Sequence, residues 1–123
     1  MADTISDDQR WFILEKTNTL LRQRFGMSQL NALRAMDMTE FTLMGCTVDT
    51  LHRCSLILSI YRQLNDIYNK DIHEINAALR TKEIFVGNFG GGVMPFTYLK
   101  ALSSPVADDL KELHTQLMFE TFK

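Results

Sequence analysis

"TVDTLHRCSLILSIYRQLNDIYN" (Thr47–Asn69) is the longest stretch of helical periodicity in the chain. Leu51, Cys54, Leu58, Tyr61 and Tyr68 recur at near-helical spacing, and Ile57, Leu64 and Ile67 thicken the stripe. A helix apolar over so much of its circumference belongs at the centre of a bundle. Thr47 or Asp49 can cap its start. The segments on either side carry the same 3.6-residue period, so the fold class expected is all-α, a compact helical domain.

Towards the N-terminus, "SDDQRWFILEKTNTLLRQRF" opens a helix. Ser6 caps it with Gln9 as capping-box partner, and Asp7 and Asp8 suit the positive end of its dipole. Leu14, Leu21 and Phe25 form its stripe, Phe12, Ile13 and Leu20 widen it, and Gly26 stops it. Trp11 and Phe12 pack either on the core or on a second subunit, as aromatic anchors do. "MSQLNALRAM" reads as a second helix capped by Ser28, with Leu30, Leu33 and Met36 inward. "MTEFTLMGC" reads as a third, capped by Thr39, with Phe41 and Met44 inward.

Beyond the central helix, "DIHEINAALRT" continues as a helix with Ile72, Ile75 and Leu79 inward. Four of the six glycines then fall within "LRTKEIFVGNFGGGVMPFTYL" (Leu79–Leu99). This is no Walker loop, because Gly-Lys-Ser/Thr does not follow. Nor is it a dinucleotide fingerprint, because no βαβ unit surrounds it. A turn between helices is the expectation, with Pro95 at the first position of a short helix through Leu102. Ile84–Val86 reads as a short extended piece with no evident partner strand. "SPVADDLKELHTQLMFETF" closes the chain as a helix with Ser104 as cap, Pro105 at its first position and Asp108 and Asp109 in its first turn. Val106, Leu110, Leu113 and Leu117 form its stripe.

The chain of 123 residues, 46% apolar, suffices for one domain with a real core. A formal charge of −2 gives no general drive towards nucleic acid or anionic membrane. No apolar run approaches the ~20 residues a membrane helix needs. The acidic, polar start lacks a signal peptide's pattern, so a cytoplasmic protein is expected. Cys46 and Cys54 read as buried free thiols. His52, His73 and His114 are scattered singly, with no metal-ligand spacing, and no nucleophile–base pattern appears. The expectation is a binding module without cofactor or metal, not an enzyme.

The second and third helices, with their tight "DMT" junction, have helix-turn-helix proportions. A DNA-reading helix should offer Arg, Lys, Asn or Gln at its start, whereas this one offers Thr39, Glu40 and Thr42. A structural pair fits better than a reader. Arg22, Arg24, Arg34 and Arg53 could still form a patch contacting a DNA backbone.

From Arg53 onward the order of pieces resembles the Xre/MbcA/ParS-type antitoxins, whose C-terminal toxin-binding domain has a long helix, a "WLRTPN" box, a glycine-proline turn and a last helix. Leu79, Arg80 and Thr81 look like the "LRT" of the box. Gly90, Gly91, Pro95 and Leu99 look like the turn, and Val106, Leu110 and Leu113 like the last helix. Residues 1–52 would then hold the helix-turn-helix-like part and 53–123 the toxin-binding part of one compact unit. The resemblance implies a partner, a RES-domain toxin that destroys NAD, whose active site the C-terminal segment blocks, together with repression of the antitoxin's own operon. It implies that the glycines form a helix-to-helix turn. It also implies a partner-facing surface of Arg80, Gly90, Gly91, Pro95, Met118, Phe119, Phe122 and Lys123. Independently, Met118, Phe119 and Phe122 beside the Leu117 stripe are more apolar surface than one helix face normally buries within its own domain. A homodimer is expected. The rival readings are a small helix-turn-helix regulator without a toxin and an adaptor that inhibits a host protein.

Overall fold

The computed structural model of the chain describes residues 5–87 and 93–121. It is all-α apart from one small hairpin. Helix α1 spans Asp7–Thr19 and runs into a π-helical turn, Leu20–Arg24. Then come α2 (Gln29–Ala35), α3 (Val48–Ile67), α4 (Ile72–Thr81), β1 (Glu83–Gly87), β2 (Val93–Thr97), α5 (Tyr98–Leu102) and α6 (Ala107–Thr121).

Three of the expected caps form, and those at Thr39 and Ser104 do not. The Ser6 hydroxyl accepts from the Gln9 amide and Gln9 returns the bond, a complete capping box. Ser28 caps α2 and Thr47 caps α3. The side chain of Asp71 accepts from two amides at the start of α4. Gly26 takes φ +70°, and the chain turns there towards α2.

Three helices run the same way. Arg10 near the start of α1 donates to the carbonyls of Leu43 and Cys46, just ahead of α3, while Phe25 beyond its end meets the Tyr61 ring edge-on at 5.8 Å. Arg53 reaches the Ser104 carbonyl ahead of α6, and Gln63, further along α3, donates to the His114 carbonyl. Parallel neighbours require return paths. The first is α2 with residues 36–47; the second is α4, the hairpin and α5. The centre is α3, with Cys54, Ile57, Ile60 and Leu64 buried, and it packs on both α1 and α6. One core cluster draws on Leu14, Leu21, Phe25, Met36, Leu79, Leu102, Leu113 and the α3 residues together.

Four expectations need correction. The third helix is absent: residues 39–43 form bends, and Thr39 caps nothing. Asp37 adopts φ +59°, which ends α2. The Thr42 hydroxyl and carbonyl then both take the Gly45 amide, so no i to i−4 ladder starts. The helix-turn-helix pair at 27–52 is therefore not formed. Secondly, Pro95 does not start a helix but pairs with Phe85 across an antiparallel ladder; the short helix begins at Tyr98 under a Thr97 cap. Thirdly, the extended piece at Ile84–Val86 has a partner in β2, so the glycine segment joins two strands rather than two helices. Its own residues, Gly90 and Gly91 included, lie outside those described. Lastly, α6 begins at Ala107, two residues after Pro105.

Four side chains expected inward face out: Phe12, Leu30, Met44 and Val106 are exposed. Trp11 and Phe12 part company. The Trp11 ring lies 5.0 Å from Phe41 against the core, while Phe12 points to solvent with the Lys16 ammonium 5.8 Å from its ring centre.

Candidate partner-binding surface

Along α6, Leu110, Leu113 and Leu117 seal the core at intervals of three and four. The next two positions rotate off that stripe. Met118 is 43% exposed and Phe119 65%. The family-derived expectation of an apolar surface at this end thus has two of its residues in solvent; Phe122 and Lys123 lie outside the described residues. The hairpin packs on α6 through β1. Strand alternation buries Ile84 and turns Phe85 out, 67% exposed, beside its exposed partner Pro95. Phe85 was legible only as part of a period-two run whose partner strand was not.

Ionisable side chains at this end influence one another. The pKa of Lys82, between α4 and β1, is raised by a hydrogen bond with the Tyr68 side chain, with Tyr98 and Glu120 adding to it. Burial, then Tyr68, pushes the Tyr98 phenol up. The junction of α4 with β1 therefore lies over Tyr68, just beyond α3, with the Lys82 ammonium 5.8 Å from the ring centre. The Tyr98 amide also donates to the Lys82 carbonyl at 3.1 Å, closing the base of the hairpin.

Arg80 makes its bonds to the end of α1 and along α4. Its Nη2 donates to the Phe25 carbonyl at 3.1 Å and its Nη1 to Asn76 Oδ1 at 2.9 Å. Asn76 in turn donates from Nδ2 to the Arg24 carbonyl at 2.9 Å. These bonds tie α4 to the π-helical turn, whose widened hydrogen bonding runs from the Phe25 amide to the Leu20 carbonyl. An open depression of about 390 Å³ lies there, lined by Gln23, Arg24, Gly26, Asn76, Ala77 and Arg80.

The four arginines expected to contact DNA are not brought together. Arg22 and Arg24 are exposed at the π-helical turn, and Arg34 is exposed on α2, beside a depression shared with Asp37 and Pro105. Arg53 is buried and corrects the expectation outright. It donates to the carbonyls of Ala35, Leu102 and Ser104, and burial lowers its pKa against the opposing pull of Asp37 and Asp109. Its partners are backbone carbonyls that no sequence motif marks.

Among the described residues, no group of three or more His, Cys, Asp or Glu side chains could hold a metal ion. Cys46 and Cys54 are buried free thiols. No helix among these residues is long and apolar enough to cross a membrane. No protein family, curated protein or solved structure matches the chain.

Proposed function

We propose that this protein acts by binding another protein, not by catalysis, and that the contact is made by the end of α6 with the outward face of the hairpin. The observation that carries this reading is the exposure of Met118 and Phe119 directly after buried Leu117. Two large apolar side chains in solvent on adjacent positions, with Phe85 turned out on the strand that packs on the same helix, favour an anchor surface over a core end.

The antitoxin resemblance gives the partner a class, a RES-domain NAD-degrading toxin. Its element order is retained in part: a long helix, a short one ending on Leu79-Arg80-Thr81, and a last helix. With no helix-turn-helix at 27–52, autorepression loses its sequence basis, and the regulator reading recedes with it. For a homodimer, exposed Phe12 offers an anchor on the opposite side of α1 from Leu14.

The test is affinity purification of the tagged full chain from its native cell, beside a Met118→Ser/Phe119→Ser double variant. A partner should co-elute with the native chain and be lost from a variant of unchanged helical signal. Co-elution at equal yield with both proteins would refute the reading. If the partner is a NAD-degrading toxin, co-expression should preserve cellular NAD, and the double variant should not.

A further inference from the structure

We propose that the depression at the π-helical turn is a docking site for a carboxylate-bearing protein segment, so that the partner presents acidic side chains beside its apolar contact. The inference rests on the protein-binding reading and gives the partner its chemistry.

Charge segregation is the first ground. The chain carries 15 acidic residues against 13 basic ones, yet neither this depression nor the adjoining one, lined by Asn18, Thr19, Arg22 and Gln23, has an acidic lining residue. The two share Gln23, so Arg22, Arg24 and Arg80 flank one continuous surface.

Preorganisation is the second. Arg80 is fixed by bonds to the Phe25 carbonyl and to both the backbone and side-chain oxygens of Asn76. Those three bonds leave two of the five N–H donors that an arginine carries. Asn76 is itself held by the carbonyls of Arg24 and Ile72. The Arg24 guanidinium meets no partner among the described residues. A fixed arginine beside an exposed one suits planar, two-pronged recognition of a carboxylate, and the fixed member loses little freedom on binding.

Size and position decide between ligands. Three arginines are few for a nucleic-acid backbone, whose binding commonly rests on about 6–10 phosphate contacts, and a net charge of −2 opposes a long polyanion. One or two carboxylates need no more than this. Because α1 and α6 both run parallel to α3, the π-helical turn that ends α1 and the exposed end of α6 occupy the same end of the molecule.

The probe is a hexaglutamate peptide, titrated into the isotope-labelled full chain at low salt and followed by amide NMR shifts. Saturable shifts should centre on Arg24, Gly26, Asn76 and Arg80 and weaken with added salt. Arg24→Gln should raise the apparent Kd roughly three- to tenfold, as expected for loss of one charge-assisted contact, with an unchanged circular dichroism spectrum. Arg22→Gln should raise it by less, about two- to threefold. The Met118→Ser/Phe119→Ser variant should bind the peptide as the native chain does, which separates failure of this site from failure of the α6 surface. Absence of shifts at these residues overturns the proposal. So does tighter binding of inorganic phosphate or of a short DNA duplex at the same residues, which would make this a phosphate site.

Discussion

Arg53 Nη2 donates to the carbonyl oxygen of Ser104 at 2.7 Å, joining the first half of α3 to the residue from which the chain turns into α6. The same guanidinium serves the carbonyls of Ala35, at the end of α2, and Leu102, at the end of α5. Ser104 completes the junction by donating from its hydroxyl to Asp109 at 2.6 Å and accepting from the Val106 amide. One buried cation thus satisfies carbonyls that two short helices leave without intrahelical partners.

Replacing it should unfold the junction. Arg53→Met fills similar volume but supplies no donor, and each buried acceptor left unpaired costs about 1–3 kcal/mol. A loss of roughly 3–5 kcal/mol is expected, read from urea unfolding. Arg53→Lys should fall between the two, since one ammonium cannot span three carbonyls. An unchanged urea midpoint in Arg53→Met would remove the junction from any account of stability.

Gly26 carries a backbone demand. At φ +70° an added Cβ would also lie 3.1 Å from Arg80 Nη2. Gly26→Ala should cost about 1–2 kcal/mol for the left-handed conformation. For a domain of this size that lowers Tm by about 3–6 °C per kcal/mol. Gly26→Asn should cost less, because asparagine tolerates that region better. Equal Tm values for Gly26→Ala and the native protein would refute the backbone argument.

Helix positions and caps were readable where a side chain settles the matter locally. Ser6 with Gln9, Ser28 and Thr47 all cap as their spacing predicts. The misreadings arise where a distant contact wins. "MTEFTLMGC" has a helical apolar spacing, yet Phe41 is drawn onto Trp11, thirty positions away, and Thr42 bonds the Gly45 amide instead of leaving it to a ladder. Pro95 suits a helix start, but it suits an edge position in a two-stranded sheet equally well, and only the pairing with Phe85 distinguishes them. Arg53 resembles any surface arginine until the carbonyls around it are placed. Of the candidate surface, the exposed Met118 and Phe119 were legible as surplus apolar residues. The Arg80–Asn76–Phe25 linkage was not, since it joins residues 55 positions apart.

Alkaline stability should depend on Cys54. Burial pushes this thiol up to about 11, with the Thr17 hydroxyl opposing and Cys46 adding. In the unfolded chain the thiol ionises near its usual value of about 8.5. Between those values the native state holds the proton that the unfolded state has lost, so stability falls as pH rises from about 9 to 11, by roughly 2–3 kcal/mol from this group. Lys82 acts in the same direction, because its raised pKa means that a stabilising cation is lost as pH climbs. Cys54→Ala should start less stable at pH 8, having left a small cavity, but lose less between pH 9 and 11. Urea unfolding at four pH values across that range checks this, and parallel slopes for the two proteins would count against it.

The contact between Trp11 and Phe41 should control the order of residues 36–47. The rings are tilted by 44° with centroids 5.0 Å apart, a geometry worth about 0.5–1.5 kcal/mol beyond burial. Two other side chains fix this segment to the body of the protein: Arg10 on the carbonyls of Leu43 and Cys46, and buried Met38. Phe41→Ala therefore should not unfold the chain. Both rings are only partly buried, so the loss expected is about 1–2 kcal/mol, below that of a fully buried aromatic. Trp11 is the single tryptophan, so its fluorescence reports this place alone. Removing Phe41 admits water to one indole face, and the emission maximum should move to longer wavelength while the far-ultraviolet dichroism keeps its helical shape. Arg10→Gln should produce a smaller shift by loosening the same segment from its other side. An emission spectrum identical to that of the native protein in Phe41→Ala would mean that the ring contact does not hold the segment, leaving Arg10 and Met38 to do so.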